Sequence, residues 1–314
     1  MPNRSDIQTR AARLRMGFEA AGGRVVDPPL LQPAGTLLGL YGEDIRARAY
    51  VTIDALRGEQ MLRPDFTVPV VQMHMRDGAE PARYTYSGEV FRRQEIDADR
   101  ANEYVQVGYE VFDRDNPAAA DAEVFALFAL QVRDLNLRAA TGDIGILMAA
   151  VQGLNTSGRR KAALMRHIWR PKRFRALLDR YAHRVPVPAP RQALLSADGV
   201  LTGSSVEIGK RSRAEIDERI EALREDAALP PIAEKELLAL EALMAVRETV
   251  PYALEQMRDI AVDLPSISQA LNSFEARAAA LAARGVDVES LDFEVSFGRT
   301  SMEYYDGFVF GFYA

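Results

Sequence analysis

Polar side chains, tyrosines and glycines alternate along a predicted β-hairpin at Arg83–Phe112. Because alternate residues of a strand share a face, Gln106, Gly108 and Glu110 of the returning strand point the same way. The other face is apolar, which predicts a helix packed against it. Glycines remove side chains from the polar face, so we expect room there for a ligand on the sheet. The alternative is an antiparallel sheet with one wet face.

The same arrangement returns near the end of the sequence. A strand predicted at Leu291–Phe297 is followed by a turn at Gly298–Ser301, and a final strand then places Tyr305 and Gly307 on one face. Together the two segments offer carboxylates, an amide and phenols, which suits a small polar cation such as an amino acid. Carboxylates would hold its ammonium group, and an arginine would hold its carboxylate or a phosphate.

A third segment, MLRPDFTVPV at Met61–Val70, has the pattern Arg-Pro-acid-x-Thr. Pro64 restricts the backbone, and Asp65 and Thr67 are expected to point together from an extended segment. In the alternative interpretation this segment lies at the edge of a sheet, and Asp65 or Thr67 caps the helix that follows.

The overall composition argues against several kinds of site. The chain has 314 residues, of which 48% are hydrophobic, and its net charge of −6 gives no general reason to bind nucleic acid. Cysteine is absent and only His74, His167 and His183 supply imidazoles, so we expect no disulfide, metal site or cofactor. The sequence shows neither an apolar signal region nor a membrane-spanning run, which predicts a cytoplasmic protein without a membrane partner.

Hydrophobic periodicity predicts an α+β fold. Helices are expected at Arg4–Glu19, from about Ala118 to Leu135, and from Pro251 through Ala283. The region from Tyr50 to Glu110 has mostly strand character. The segment ATGDIGILMAAVQGL is interpreted as a buried strand or a short helix.

The character of the sequence changes at Asn155, which suggests an insertion. We assign residues 155–249 to a helical insertion and residues 1–154 and 250–314 to the core. Within the insertion, the basic stretch Arg159–Arg184 has two interpretations. It is either a solvated helix surface or a contact surface for an acidic partner or RNA.

Taken in order, these segments resemble the catalytic domain of class II histidyl-tRNA synthetases, over most of residues 1–154 and 251–314. LRPDFT is similar to the family's LRPEGT, FRR followed by R-x-x-E-Y-x-Q-x-G-x-E is similar to its motif 2, and MEYYDGFVF is similar to its LDYYTGTVF. The resemblance implies a mixed, mainly antiparallel sheet flanked by helices. The histidine-binding positions it implies are Asp65, Thr67, Gln106, Glu110 and Tyr305. Two arginines are implied to bind a carboxylate or phosphate, although they could be surface charges: Arg92 and Arg100.

Departures from the synthetase pattern concern catalysis. The synthetases have an arginine immediately before GLDYYTG that stabilises charge during adenylate formation, and alignment places Thr300 there. Arg299 is one residue out of register, which on a strand would send it to the opposite face. Gln94 replaces an acid, and Phe66 fills space near the floor of the site. No further ATP-binding motif or anticodon-binding domain follows, so we expect no catalytic residue.

A kept histidine pocket without the adenylation arginine is typical of the synthetase-like regulatory subunits of ATP phosphoribosyltransferase, which this sequence resembles. The resemblance implies a non-catalytic subunit in a hetero-octamer with a short-form catalytic subunit, which performs the first step of histidine biosynthesis. It also implies a homodimer and allosteric binding of L-histidine, whereas tRNA is not an expected partner. The alternatives are a divergent or truncated histidyl-tRNA synthetase, or a stand-alone module that binds an amino acid or RNA.

Overall fold

The computed structural model describes residues 3–41, 45–94, 100–196, 212–299 and 305–314. Its helices are α1 (Arg4–Ala20), α2 (Ala34–Tyr41), α3 (Ile45–Arg48), α4 (Thr67–Asp77), α5 (Pro117–Val132), α6 (Ile144–Gly153), α7 (Gly158–Arg166), α8 (Pro171–Tyr181), α9 (Ala189–Ser196), α10 (Arg213–Ala228), α11 (Glu234–Ala245), α12 (Val250–Asp263) and α13 (Ser268–Ala283). Its strands are β1 (Arg24–Val25), β2 (Leu31–Pro33), β3 (Val51–Asp54), β4 (Gly58–Leu62), β5 (Ala82–Phe91), β6 (Glu103–Phe112), β7 (Arg138–Asp143), β8 (Arg247–Thr249), β9 (Asp292–Glu294) and β10 (Phe308–Tyr313). The predicted α+β class is confirmed.

The described strands form three sheets. In the first, β1 runs parallel to β5, and β5 pairs antiparallel with the equally long β6. The second is antiparallel, in the order β2-β4-β3. The third has the order β10-β7-β9-β8, with β7 parallel and β8 antiparallel to β9. Antiparallel pairing thus occurs in every sheet, as predicted for a mixed architecture.

The chain divides into two compact units. The first consists of residues 1–138, 276–287 and 312–314, and the second of residues 139–275 and 288–311. The described part of 155–249 contains helices α7 to α11 and the short strand β8. Its assignment as an insertion into a core stays a prediction.

Helices cover the apolar side of the β5–β6 hairpin, as predicted. The ring of Tyr109 in β6 packs against Phe18 of α1, with centroids 5.6 Å apart. Its hydroxyl donates to Glu123 of α5 over 2.8 Å. Glu123 also accepts two hydrogen bonds from Arg83 of β5, at 2.6 and 2.7 Å. This side of the hairpin is therefore held by packing and by an ion pair, and it leaves the other side for the site.

Local capping explains where the helices near the hairpin begin. The side chain of Asn3 accepts from the Ser5 backbone at the start of α1, and Asn116 does the same for the Ala119 backbone at the start of α5.

The segment ATGDIGILMAAVQGL contains both of the predicted elements, strand β7 and helix α6. Asp143 ends the strand and caps the helix, because its side chain accepts from the Gly145 backbone over 2.9 Å.

Three predicted elements are shorter than expected. The helix predicted through Ala283 is split into α12 and α13 by a 3-10 turn that begins at Pro265. The strand predicted at Leu291–Phe297 ends at Glu294 and gives way to a turn that includes Gly298, whose φ is 79°. Strand β10 begins only at Phe308, and the predicted positions 300–304 lie outside the described residues. None of the described helices is long and apolar enough to cross a membrane.

Candidate functional site

The polar side of the β5–β6 hairpin brings Glu110 and Thr67 together. Glu110 Oε1 accepts hydrogen bonds from the Thr67 hydroxyl and from the Tyr86 hydroxyl, each over 3.0 Å. Thr67 opens helix α4, whose N-cap is Phe66 and has no side-chain capping bond. The alternative in which Asp65 or Thr67 caps this helix is therefore wrong, and the Thr67 hydroxyl faces the carboxylate instead.

The carboxyl group of Glu110 has an unusual environment. Burial raises the pKa of Glu110, and the nearby charge of Asp65 adds to the effect, while the hydrogen bonds from Tyr86 and Thr67 offset part of it. Burial and the charge of Glu110 also raise the pKa of the Tyr86 phenol, so the phenol remains a donor. Both donors that the described residues supply to Glu110 are uncharged. A ligand cation would provide the counter-charge that a buried carboxylate needs.

Asp65 is a second acidic group at this site and lies beside Arg92. Asp65 is 8% exposed, and its Oδ2 is 3.9 Å from Arg92 Nη2. Arg92 Nε donates to the Pro64 carbonyl over 2.7 Å, and its guanidinium lies 5.8 Å from the centre of the Tyr104 ring. Arg92 is thereby held beside Pro64 and Asp65, while its side chain stays 45% exposed. Arg100 is exposed, and its role stays a prediction.

Gln106 supplies an amide on the same face. It lies directly opposite Gly88 in the β5–β6 register, and strand alternation places it on the side of Glu110. Its Oε1 is buried and has no hydrogen-bond partner among the described residues. Buried polar atoms are nearly always paired, so this oxygen is a ready acceptor for a ligand N–H group.

The expected open floor over the glycines is wrong for β5 and β6. A Cβ at Gly108 would overlap the ring of Tyr86, the residue directly opposite. A Cβ at Gly88 would lie 2.6 Å from Arg63 Nη2 and 3.1 Å from Phe66 Cζ. The glycines make room for the protein's own side chains rather than for a ligand. Phe66 fills space at the floor, as predicted.

Tyr86 and Arg63 were not predicted as site residues. The signal for Tyr86 was its position opposite Gly108, because an aromatic side chain readily crosses an opposed glycine. The signal for Arg63 was its place in the Arg-Pro-acid pattern before Asp65. Neither signal is strong without the strand register, which the sequence alone does not fix.

Tyr305 belongs to the second unit and precedes β10. It is 41% exposed. Its predicted place beside the residues of the first unit stays a prediction. A Cβ at Gly307 would meet no described atom within 4 Å, which agrees with the predicted gap in this segment.

Arg299, next to the predicted reactive position, is buried inside the second unit. It lies in the turn after β9 and is 5% exposed. Its Nε donates to the Ile168 carbonyl over 2.7 Å, and its guanidinium lies 4.9 Å from the centre of the Phe174 ring. Burial lowers the pKa of Arg299 to about 10. The predicted strand parity does not apply to a turn, and Thr300 itself lies outside the described residues.

Gln94, the other departure from the synthetase motif, is hydrogen-bonded to Ala101 and Asn102. Its Nε2 donates to the Ala101 carbonyl over 3.3 Å. Its backbone N–H donates to Asn102 Oδ1 over 3.2 Å. The side chain therefore has a structural partner at a position where the synthetases have an acid.

Part of the positive charge of the basic stretch Arg159–Arg184 is paired with acidic residues of the second unit. Arg160 Nε donates to Asp226 of α10 over 2.7 Å, and Arg184 binds Glu241 of α11 over 2.8 Å. Similar ion pairs involve Arg159, Arg175 and Arg180. Acidic side chains of α10 and α11 thus pair with these five arginines, a feature that neither predicted interpretation included. Among the described residues, no cluster of His, Asp and Glu is suited to a metal ion.

Comparisons with known proteins identify the family of this chain. A family profile described as histidyl-tRNA synthetase matches residues 2–314. ATP phosphoribosyltransferase regulatory subunits from Brucella ovis and Brucella abortus are each 31% identical, over 95% of this chain and 83% and 82% of their own lengths.

Solved structures show the same fold. One is an ATP phosphoribosyltransferase regulatory subunit/histidyl-tRNA synthetase from Bacillus halodurans, with a TM-score of 0.68 and 20% identity, over all of this chain and 70% of that one. Another is the histidyl-tRNA synthetase from Nostoc, with a TM-score of 0.63 and 14% identity, over 99% of this chain and 62% of that one. At these identities the two structures establish the fold, and the predicted class II synthetase-like fold is confirmed. The chain belongs to the histidyl-tRNA synthetase-like family of ATP phosphoribosyltransferase regulatory subunits.

Proposed function

We propose that this chain is a non-catalytic regulatory subunit of ATP phosphoribosyltransferase, which acts in the first step of histidine biosynthesis. The observation that carries the proposal is the 31% identity to regulatory subunits over 95% of the chain. The proposal includes a cytoplasmic location, a homodimer, and a hetero-octamer with a short-form catalytic subunit that joins ATP and phosphoribosyl pyrophosphate.

The pocket around Glu110 is proposed to bind L-histidine as a feedback signal. Glu110 and Asp65 would face the ammonium group, and the unpaired Gln106 Oε1 would accept a hydrogen bond from the ligand. Thr67 orients the Glu110 carboxylate, and Tyr305 would complete the wall. Arg92 and Arg100 would attract the ligand carboxylate or a phosphate. Histidine regulates only if it binds one assembly state better than the other.

Loss of synthetase chemistry is the second part of the proposal. Thr300 stands where the synthetases have their charge-stabilising arginine. Removal of such a donor typically costs about 10²–10³ in rate. The burial of the neighbouring Arg299 against Ile168 and Phe174 supports the view that it does not replace the missing group.

Co-purification tests the proposed partner. The chain is produced in cells together with a tagged short-form catalytic subunit, with and without histidine, and the tag is used to recover the complex. We expect both subunits in a stable complex of fixed stoichiometry. Failure of the two chains to associate under either condition would contradict the proposal.

The competing function is that of a divergent histidyl-tRNA synthetase, which the match to the synthetase family profile favours. It predicts histidine-dependent exchange of pyrophosphate with ATP. We expect no exchange above background from this chain. An exchange rate close to that of a synthetase would favour the competing function.

A further inference from the structure

Arg63 joins three parts of the first unit. Its backbone N–H donates to the Leu30 carbonyl over 2.9 Å, and its carbonyl accepts from the Phe91 N–H over 3.1 Å. Its side chain donates from Nη1 to the Pro28 carbonyl over 2.6 Å and from Nε to the Glu89 carbonyl over 2.9 Å. One residue thus links the proline-rich segment before β2 to strand β5.

The positive charge of Arg63 is only partly compensated. The residue is 4% exposed, and burial lowers its pKa, while the charges of Asp27 and Glu89 offset part of the effect. The carboxylate of Asp27 is 4.0 Å from Nη1, but its side chain is 90% exposed, so water screens the charge. Both hydrogen-bond acceptors of the guanidinium among the described residues are backbone carbonyls. The planar guanidinium forms a fork that donates from two nitrogens in fixed directions to two carbonyls, and a lysine ammonium would not reproduce this geometry.

The guanidinium also begins a stack that ends at the pocket. It lies 3.8 Å from the centre of the Phe66 ring. Phe66 in turn stacks on Tyr86, with centroids 4.2 Å apart and planes 3° from parallel. The Tyr86 hydroxyl then donates to Glu110 over 3.0 Å. Phe66 is fully buried, so its ring must follow a movement of the Arg63 guanidinium, and the Tyr86 ring must follow a movement of Phe66.

We infer that Arg63 is a positioning residue that couples the Pro28–Leu30 segment to the Glu110 pocket. A change in the position of this segment moves the guanidinium, and the Phe66–Tyr86 stack carries the movement to the Glu110 carboxylate. The inference rests on the proposed function in one respect, the use of the pocket for a ligand.

A double-mutant cycle tests this coupling. Pro28→Gly loosens the segment but keeps the carbonyl, and Arg63→Met removes the fork while keeping a similar length. The readouts are the ring resonances of Tyr86 in ¹³C-tyrosine-labelled protein, assigned with Tyr86→Phe, and the affinity for L-histidine by calorimetry. We expect Pro28→Gly to shift the Tyr86 signals and to weaken binding by about fivefold in the otherwise unchanged chain. When Arg63→Met is already present, adding Pro28→Gly should neither shift the Tyr86 signals nor weaken histidine binding further.

The neighbouring Pro29 provides a matched control. Its carbonyl accepts from Gln32 Nε2 over 2.5 Å rather than from Arg63, so Pro29→Gly should leave the Tyr86 signals unchanged. If Arg63→Met does not fold, Arg63→Lys takes its place, because it keeps the charge and loses the fork.

Two outcomes overturn the inference: the same Tyr86 shift with and without the arginine, or no shift from Pro28→Gly at all. If Tyr86 responds through Arg63 but no histidine binds, the proposed ligand is wrong and the coupling stands.

Discussion

Two glutamates lie on opposite sides of the β5–β6 region and differ in almost every respect. Glu123, on the helix-covered side, accepts two hydrogen bonds from Arg83 and one from Tyr109, and Arg284 approaches it to 3.5 Å. The hydrogen bonds from Arg83 are the main reason that the pKa of Glu123 is lowered. Glu110, on the other side, accepts from two neutral hydroxyls, and burial raises its pKa.

The difference separates a structural acid from a proposed binding acid. The charge of Glu123 is neutralised by partners within the fold, so its contribution is to stability. The charge of Glu110 has no cationic hydrogen-bond partner among the described residues, and a buried carboxylate in this state is costly until a cation arrives. The following predictions use pairs of variants on the two sides of the hairpin.

The largest expected difference concerns ligand binding. Glu110→Ala should weaken L-histidine binding by about a hundredfold, or roughly 3 kcal/mol, because it removes the proposed partner of the ammonium group. The rise in melting temperature on adding histidine should then vanish. Glu123→Ala is the matched control and should keep the rise. A normal response from folded Glu110→Ala would show that histidine binds elsewhere.

For folding stability we expect the opposite result, with the larger effect from substitution of Glu123 and the smaller effect from substitution of Glu110. Glu123→Ala leaves Arg83 without its main partner and should lower the free energy of unfolding by about 2 kcal/mol. Glu110→Gln removes an uncompensated charge but keeps an acceptor for Tyr86 and Thr67, so it should be neutral or stabilising at pH 7. Urea denaturation measures both. A large loss of stability in Glu110→Gln would mean that Glu110 is a structural acid as well.

Two tyrosines allow a finer test. Tyr86→Phe removes one of the two hydroxyl donors to Glu110 and should cost about 1 kcal/mol of unfolding free energy. Tyr109→Phe should cost about half as much, since Glu123 keeps both bonds from Arg83. Thermal or urea unfolding of the two variants measures the difference. Equal costs would indicate that Glu110 is better compensated than its hydrogen bonds suggest.

The smallest expected effect is in the pH dependence of stability. A raised pKa means that folded Glu110 binds more protons than the unfolded group, so its contribution to stability falls as pH rises from 4.5 through the folded pKa. The lowered pKa of Glu123 has the opposite sign, and its contribution is lost as pH falls from 4.5 through the folded value. Unfolding of Glu110→Gln and Glu123→Gln across this range should give pH slopes that deviate from the unchanged chain in opposite directions. Deviations of the same sign would contradict the comparison.

The sequence predicted the fold well where the signals were local. Helices α1 and α5 begin at Arg4 and Pro117, close to the predicted starts at Arg4 and about Ala118, and strand alternation placed Gln106 and Glu110 on one face. It failed where distant side chains meet. The space over Gly108 depends on Tyr86 across the hairpin, and the charge of Arg160 depends on Asp226, 66 residues away.

For the same reason, the sequence could not predict how all of the proposed site residues are placed. Thr67 and Glu110 are hydrogen-bonded. Gln106 lies on the same side of the hairpin as Glu110, and Asp65 lies beside Arg92. Arg299 could not be placed from strand parity, because the strand ends early and the chain turns before reaching it. Its burial against Ile168 depends on the turn between α7 and α8, 131 residues earlier in the chain.

The central claim is that this chain regulates a catalytic subunit and does not catalyse. The most direct test mixes it with a short-form ATP phosphoribosyltransferase catalytic subunit at increasing ratios and measures the formation of phosphoribosyl-ATP. The account predicts that activity rises with the ratio and saturates at a fixed stoichiometry. No activation at any ratio, with both chains folded, would contradict it.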